Sequence, residues 1–569
     1  MSSNTTSEFD AIVVGSGISG GWAAKELTER GLKVLLVERG PHITHREDYS
    51  GEDKAPWEMP FAGRIPEKEA NRDYFVQKDC YALEGATKKF FVNDRTHQYI
   101  HPKEKPFSWI RGYQLGGRSQ LWARQTYRWS DIDFRANKTD DHGVDWPIRY
   151  KDIAPWYDHV EKFAGISGSL EGLDQLPDGK FLPPMEMNCV EVEAKQKIEK
   201  AFPTRKMIIG RCANLTEPTK EHLELGRGRC QYRNECEKGC SFGASFSSLS
   251  ATLPAAQRTK NLTTVTDAIV HSVTYDNVSK RATGVKIIDA NTKDYRQYSG
   301  RIIFLCASTL GSTQIMLNSI SESFPNGIAN SSGTLGHYLM DHIFMSGAIG
   351  EHPGFQKNYY SGRRPNGIYI PRYRNVTEQD DRFLRGYGFQ GGASRPNWRR
   401  GSNMQGIGLE LKEKLREPGS WQFHLGGFGE MLPDKRNRVL LDKNKQDQWG
   451  IPLLNIECEL HDNEFKMLDA MSDDAAAMLS AAGIINIQKY NEAAPPGLAI
   501  HEMGTARMGH NPSSSVLNKF NQTHDVSNLF VTDGSAMTSS ACQNPSLTYM
   551  ALTARASAYA VQLLKEGTI

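Results

Sequence analysis

Asp10-Ala11-Ile12-Val13-Val14-Gly15-Ser16-Gly17-Ile18-Ser19-Gly20-Gly21 decides how this chain is read. Residues 10–14 (DAIVV) form a short apolar run of the kind buried in a parallel sheet. Residues 21–30 (GWAAKELTER) carry a helical pattern that Gly31 stops, and residues 33–37 (KVLLV) make a second strand ending at Glu38. The three elements form a β-α-β unit, with Gly15, Gly17 and Gly20 spaced as G-x-G-x-x-G at its first turn. Glycine is needed where the backbone turns tightly and approaches a pyrophosphate, which then rests on a helix N-terminus. Glu38 stands where an acidic side chain accepts hydrogen bonds from a ribose diol. An α/β unit with incidental glycines would have to explain those at 15, 17, 20 and 21 together. A dinucleotide-binding unit is the expectation.

Composition narrows the class. The chain has 569 residues, enough for two or more domains. Its 68 Lys and Arg against 66 Asp and Glu leave a charge of +2, so no overall field recruits nucleic acid or an acidic membrane. Mean hydropathy is −0.54, and no run approaches the ~20 apolar residues of a membrane helix. Residues 1–10 are polar and carry no basic residue, so a secretory leader is not expected. Nine cysteines are too few for a disulfide scaffold.

Residues 41–106 are polar and broken by Gly and Pro, an irregular excursion. Residues 153–163 read as a helix, and 167–226, rich in Pro, Gly and charge, as a domain crossing. Residues 261–273 and 301–306 read as buried strands, followed by a helix near 311–319. From 350 to 495 the texture changes: 437–441 and 453–458 suggest antiparallel strands and 464–482 one long helix. Residues 528–532 and 545–564 return to the first texture as strand and helix. The expected architecture is a discontinuous, Rossmann-like α/β domain interrupted by an α+β substrate domain built on an antiparallel sheet. Its nucleotide-binding parts are 1–166 (with the excursion), 227–345 and 496–569; the crossing is 167–226 and the substrate domain 346–495.

Four segments in this order resemble the glucose–methanol–choline (GMC) flavoprotein oxidoreductases. They are the N-terminal unit, the LGGRSQLW stretch (115–122), GHYLMDH (336–342) and a C-terminal block of HEMGTARMG (501–509), FVTDGS (530–535) and NPSLT (544–548). Three longer phrases resemble bacterial FAD-dependent sugar dehydrogenases, glucoside 3-dehydrogenase catalytic subunits among them. They are HEMGTARMG, TSSACQNPSLTYMALTARA and RCQYRNECEKGCSFGASFSS. The resemblance implies FAD in the dinucleotide site, held by Gly15, Gly17, Gly20 and Glu38. It adds Gly116, Gly117 and Ser119 in a flavin-contacting loop, the backbone of Val270 at the adenine, and Asp533 and Gly534 at the pyrophosphate or ribityl chain. Some sugar-oxidising relatives carry in that loop a histidine bonded to the flavin; here the position is Leu121, so the FAD is expected to be non-covalent.

The same resemblance makes His501 and Asn544 a catalytic pair at the reactive edge of the flavin. Oxidising a secondary alcohol removes a hydroxyl proton while hydride leaves carbon. An imidazole near its usual pKa of ~6.5 suits the proton. An amide orients the substrate oxygen and steadies developing alkoxide charge. A zinc-protease reading of His501-Glu502 fails, because the second histidine of H-E-x-x-H is replaced by Thr505.

Three of the nine cysteines, Cys230, Cys236 and Cys240, fall within eleven residues, among Arg227, Arg229, Arg233 and Lys238. Basic neighbours lower thiol pKa values and favour thiolate ligands. By resemblance the three hold an iron–sulfur cluster of the [3Fe–4S] type, although one well-matched pattern has a first gap shorter by a residue. A zinc site completed by Cys212 or His222, and plain free thiols, stay open.

The function expected is an FAD-dependent sugar dehydrogenase acting on a ring secondary hydroxyl, C3 of a glucoside foremost, with electrons leaving through the cluster to an external acceptor. The alternatives are a GMC-type sugar oxidase that makes peroxide with a structural cysteine loop, and a subunit without turnover. The partners expected are a sugar or glycoside, a small signal-bearing export subunit and a cytochrome-type acceptor, with no nucleic acid and no membrane span. Location is then periplasmic, with the cytoplasm as the alternative.

Overall fold

The computed structural model describes residues 8–359, 362, 364–396, 400–401 and 404–569. The first unit is β1 (Phe9–Val14), α1 (Ile18–Glu29) and β2 (Val34–Val37). β1 pairs in parallel with β2 and with the second half of strand Tyr295–Leu305. β2 pairs on with Leu262–Val265, and Leu529–Val531 adds beyond Tyr295–Leu305. β1 reads as an unbroken apolar run because both of its faces are covered. Ile12 and Val14 pack with Leu35 and Ile303 on one side, while Ala11 and Val13 pack with Leu36 and Phe304 on the other.

α1 lies so close to the turn before it that a Cβ on Gly20 would fall 1.7 Å from the carbonyl oxygen of Gly15. That contact requires glycine.

Residues 261–273 are two strands rather than the one expected. Leu262–Val265 belongs to the parallel sheet, and Ala268–Asp276 starts an antiparallel meander through Arg281–Asp289 into Tyr295–Leu305. Between them Asp267 takes a left-handed φ of 53°, and its N–H donates to the carbonyl of Gly40. The break is a local backbone event that hydrophobicity does not report.

A second, antiparallel sheet runs Ile485–Asn491, Ser346–His352, Trp421–Glu430, Tyr387–Ser394, Ile368–Ile370 and Ile208–Ile209. Helix Asp462–Ala481 lies across it, setting Met467, Met471 and Met478 against Phe423 and Leu425. Glycine lets the backbone come close: a Cβ on Gly427 would meet the Met471 sulfur at 2.6 Å. The stretch 167–226 is more than a crossing, since it gives this sheet its edge strand and the helix Cys189–Ala201 that packs on it.

A small third sheet positions the site. Its order is Pro452–Glu457, Arg438–Gln446, His337–Met340 and Met503–Thr505. Met503 pairs with Met340 and Thr505 with His337, which lays 336–342 directly beside 501–505. Among the described residues no helix is long and apolar enough to cross a membrane.

Candidate active site

A cavity of about 320 Å³ opens at the C-terminal end of the parallel sheet, where ligands of such sheets bind. Gly15, Gly17, Glu38, Gly117, Ser119, Val270, Asp533 and Gly534 line it, and so do His501 and Asn544. Gly20 and Gly116 stand behind the lining. Gly20 permits the helix to pack, and Gly116 holds a φ of 88° while its N–H donates to Ser16 Oγ at 2.8 Å.

Ser16 ties the first turn to the end of β2. Its Oγ donates to Glu38 Oε2 at 2.6 Å and its N–H reaches the same oxygen at 3.1 Å; the Gly40 N–H donates to Oε1 at 3.0 Å. Burial pushes the Glu38 carboxyl above its ordinary pKa, and these hydrogen bonds oppose the shift. Asp533 caps the short turn Gly534–Ala536 and accepts from Ser312 and Ser535; its carboxyl is likewise raised by burial. A Cβ on Gly534 would lie 2.4 Å from the carbonyl oxygen of Glu502, so this turn and the catalytic-block backbone meet edge to edge.

FAD fits this cradle on two observations. A Cβ on Gly17 would have nothing within 4 Å, so the open side of the first turn faces the cavity. Around it His271 Nε2, Asn318 Nδ2 and Tyr549 OH are buried without a hydrogen-bond partner, polar atoms for which a bound cofactor supplies one. Leu121 also lines the cavity and offers no atom for a covalent bond to the flavin.

His501 and Asn544 meet, with Asn544 Nδ2 at 3.4 Å from His501 Nε2. Gln390 Nε2 donates to Asn544 Oδ1 at 2.7 Å, which turns the amide nitrogen toward the imidazole. The backbone of His501 is fixed from below. Asp341 accepts the N–H of His501 on Oδ1 at 3.0 Å and those of Gly497 and Ala499 on Oδ2 at 2.6 and 3.2 Å. The Asp341 carboxyl is pushed up to about 7, first by burial and then by the charge of Glu502.

His501 departs from the expected ordinary imidazole pKa. Burial, His342 and the positive charge of Arg118 hold it well below the usual range, so the ring is neutral at neutral pH. Sequence reasoning gave no role to Gln390, Asp341, His342, Arg118 or Ser16. Asp341 and His342 lie in the GHYLMDH stretch and Arg118 in LGGRSQLW, so the signal was present as a motif without an assigned part.

The cysteines do not form the expected ligand set. Among the described residues no group of three or more His, Cys, Asp or Glu side chains is placed to hold a metal ion. Cys230 and Cys240 pack in an apolar cluster with Cys212, Met185 and Leu215, and Asn214 Nδ2 lies 3.7 Å from Cys236 Sγ. Burial pushes the Cys230 thiol up to about 11 and the Cys236 thiol up to about 12, the reverse of thiolate activation.

Three of the four basic residues meant to lower those pKa values hold other partners, and what charge reaches the thiols is outweighed by burial. Arg227 donates to the carbonyls of Gly243, Phe163 and Ala164, Arg233 pairs with Glu52, and Lys238 with Glu235. The zinc alternative through His222 fails too, because its Nδ1 meets Thr219 and its Nε2 the carbonyls of Lys162 and Phe163. An iron–sulfur or zinc centre therefore does not fit the side chains as arranged.

A second cavity of about 930 Å³ adjoins the first and shares Gln125, Phe344, Gln390 and Phe428 with it. Its wall includes Glu186, Asn188, Glu217, Arg229, Asn234 and Arg364.

Family models described as GMC oxidoreductase match residues 9–344 and 433–553. The 2-methyl-1,2-propanediol dehydrogenase of Mycolicibacterium austroafricanum is 28% identical over 97% of this chain and 95% of its own length. The fructose dehydrogenase large subunit of Gluconobacter japonicus is 25% identical over 99% of this chain and 100% of its own. Among solved structures, pyridoxine 4-oxidase from Mesorbium loti shares the fold at a TM-score of 0.58 and 16% identity, covering 97% of this chain and 99% of that one.

Proposed function

The chain belongs to the GMC oxidoreductase family, an FAD oxidoreductase of alcohol and sugar hydroxyls, and from that premise we propose that it is a sugar dehydrogenase oxidising a ring secondary hydroxyl, C3 of a glucoside foremost. The observation that carries the reading is the 3.4 Å pairing of Asn544 Nδ2 with His501 Nε2 on the wall of the cavity that the dinucleotide motif also lines.

FAD, held without a covalent bond, supplies the hydride acceptor. The protein's own part is the proton. A hydroxyl oxygen placed between the two side chains accepts from the Asn544 amide and donates to the His501 lone pair. Because His501 is held well below its ordinary pKa, the base is unprotonated across neutral pH. A positioned base of this kind contributes about 10²–10⁴-fold. The Asn544 donor steadies the oxygen as it gains charge, and the Gln390 hydrogen bond stops the amide from turning its oxygen there instead.

The adjoining polar chamber supports a polyhydroxylated substrate with a further group attached. Electrons then leave to an external acceptor of cytochrome type. The fructose dehydrogenase relative is named as a large subunit, which supports a further subunit beside this chain; that this subunit is small and carries the chain to the periplasm is part of the proposal. Anaerobic bleaching of the bound flavin by a panel of sugars and glycosides, with the oxidised carbon identified, tests the reading. Absence of bleaching by every sugar would overturn it, and stoichiometric peroxide in air would make the enzyme an oxidase.

A further inference from the structure

We propose that His342 is a positioning residue that fixes the tautomer of His501, leaving Nε2 as the lone-pair nitrogen toward the cavity; this rests on the reading of His501 as the base.

The direction follows from an atom that can only accept. His342 Nε2 lies 3.1 Å from the carbonyl oxygen of Ser540, so that nitrogen carries the hydrogen. A neutral His342 then presents a lone pair at Nδ1. His342 Nδ1 is 3.0 Å from His501 Nδ1, so the hydrogen between them belongs to His501 Nδ1 and His501 Nε2 is bare. The far end of the chain agrees independently. Asn544 offers its amide nitrogen, a donor, to His501 Nε2, because its oxygen is taken by Gln390.

From Gln390 through Asn544, His501 and His342 to the Ser540 carbonyl, every donor points the same way. The two rings meet edge-on, centroids 4.8 Å apart at 73°. Burial keeps His342 neutral, its pKa pushed down to about 4, so its Nδ1 stays an acceptor. Adjacent residues thus hold the base twice: Asp341 fixes its backbone N–H and His342 its ring.

The consequence for reaction is specific. Left alone, a neutral imidazole distributes its hydrogen over both nitrogens, and the form with Nε2–H cannot take a proton. With His342 in place the hydroxyl O–H bond breaks and its proton goes to His501 Nε2, while bound FAD would supply the acceptor for the hydride. His501 Nδ1–H stays bonded to His342 throughout, and no proton passes to His342.

The test uses FAD-loaded protein labelled with [15N]histidine, the His501 signals being those missing from His501→Ala. Wild type is expected to show Nδ1 protonated and Nε2 bare; the opposite assignment overturns the proposal without any substrate. In anaerobic stopped-flow with methyl glucoside, His342→Leu should reduce flavin at least ~10-fold more slowly at saturation with little change in sugar affinity. His342→Asn, whose Oδ1 can still accept from His501, should recover most of the rate. Should His342→Leu fail to fold, the wild-type spectrum and the Asn variant still decide. Wild-type reduction by His342→Leu while His501→Ala is inactive removes His342 and leaves the base reading standing. Wild-type reduction by His501→Ala removes the base reading itself.

Discussion

Arg118 and Glu502 meet in a two-point ion pair, Nη1 to Oε1 at 3.1 Å and Nη2 to Oε2 at 2.8 Å, which ties the loop at 115–122 to the residue after His501. Glu502 is almost completely buried, its side chain 1% exposed. Arg118→Met leaves that carboxylate inside without its cation, and the expected loss of stability is about 3 kcal/mol. The Arg118 charge also helps hold His501 neutral. The acid limb of flavin reduction should therefore move to higher pH in the variant. Chemical unfolding and a pH series of anaerobic reduction measure the two effects; an unmoved limb would show that Arg118 acts on stability alone.

His501→Ala should keep its FAD and slow reduction by sugar at least ~10²-fold. In wild type the neutral ring is the active form and its pKa lies well below 6.5. The fall in rate that belongs to His501 should then come only as pH drops through that depressed value, and Asp341→Asn separates it from any inflection near 7 due to the carboxyl beneath. A limb at the ordinary imidazole position that survives in Asp341→Asn would contradict the burial argument.

Asn544→Asp should be slower than Asn544→Ala. The aspartate puts a negative charge beside an oxygen that is itself becoming negative, whereas alanine only removes a donor. Rapid-reaction rates of the two variants decide the order, and an Asp variant equal to wild type would refute the donor role.

Gly17→Ala and Gly20→Ala should fail in different ways. The added methyl at position 17 meets no protein atom within 4 Å and φ there is −63°, so the fold should keep its stability while FAD binds more weakly. At position 20 the methyl would lie 1.7 Å from a backbone carbonyl. Separating α1 from the turn should cost about 1–3 kcal/mol. Apoprotein melting and FAD titration distinguish the two; equal melting temperatures would remove the packing role of Gly20.

Cys230 and Cys236 should resist alkylation at neutral pH in the native protein, because burial raises both thiols. Peptide mapping after a timed iodoacetamide pulse gives the answer. Fast labelling of Cys236, or three irons per chain in anaerobic preparations, would restore the thiolate reading.

The first β-α-β unit and the long helices were legible because their periodicity and glycine spacing are local. So was the pairing of His501 with Asn544, through motif rather than distance. What could not be read were arrangements made by the third sheet. The Met503–Met340 register brings His342 to His501, and only a structure shows which face of that imidazole it meets. The cysteine loop misled for the same reason. Three thiols crowded in sequence, with basic neighbours, look activated, yet Arg227, Arg233 and Lys238 hold other partners, Cys230 and Cys240 pack among apolar side chains, and Cys236 is buried beside the Asn214 amide. Sequence proximity reports composition, and ionisation depends on what each charge touches.

Asp341 and His501 are 160 residues apart in the chain, and at ribosomal speeds roughly 10–30 s separate their synthesis. Strand Tyr295–Leu305 waits equally for Leu529–Val531 to cover its open edge. Until residues 529–531 are made, a nascent chain thus carries the glycine turn beside a strand edge left open at residues 303–305, the kind of surface that aggregates or recruits chaperones. A product truncated before residue 501 would have the glycine turn but neither His501, Asn544 nor strand Leu529–Val531. Chain order in this sense delays both the closure of the sheet and the assembly of the site until residues 501–544 have been made.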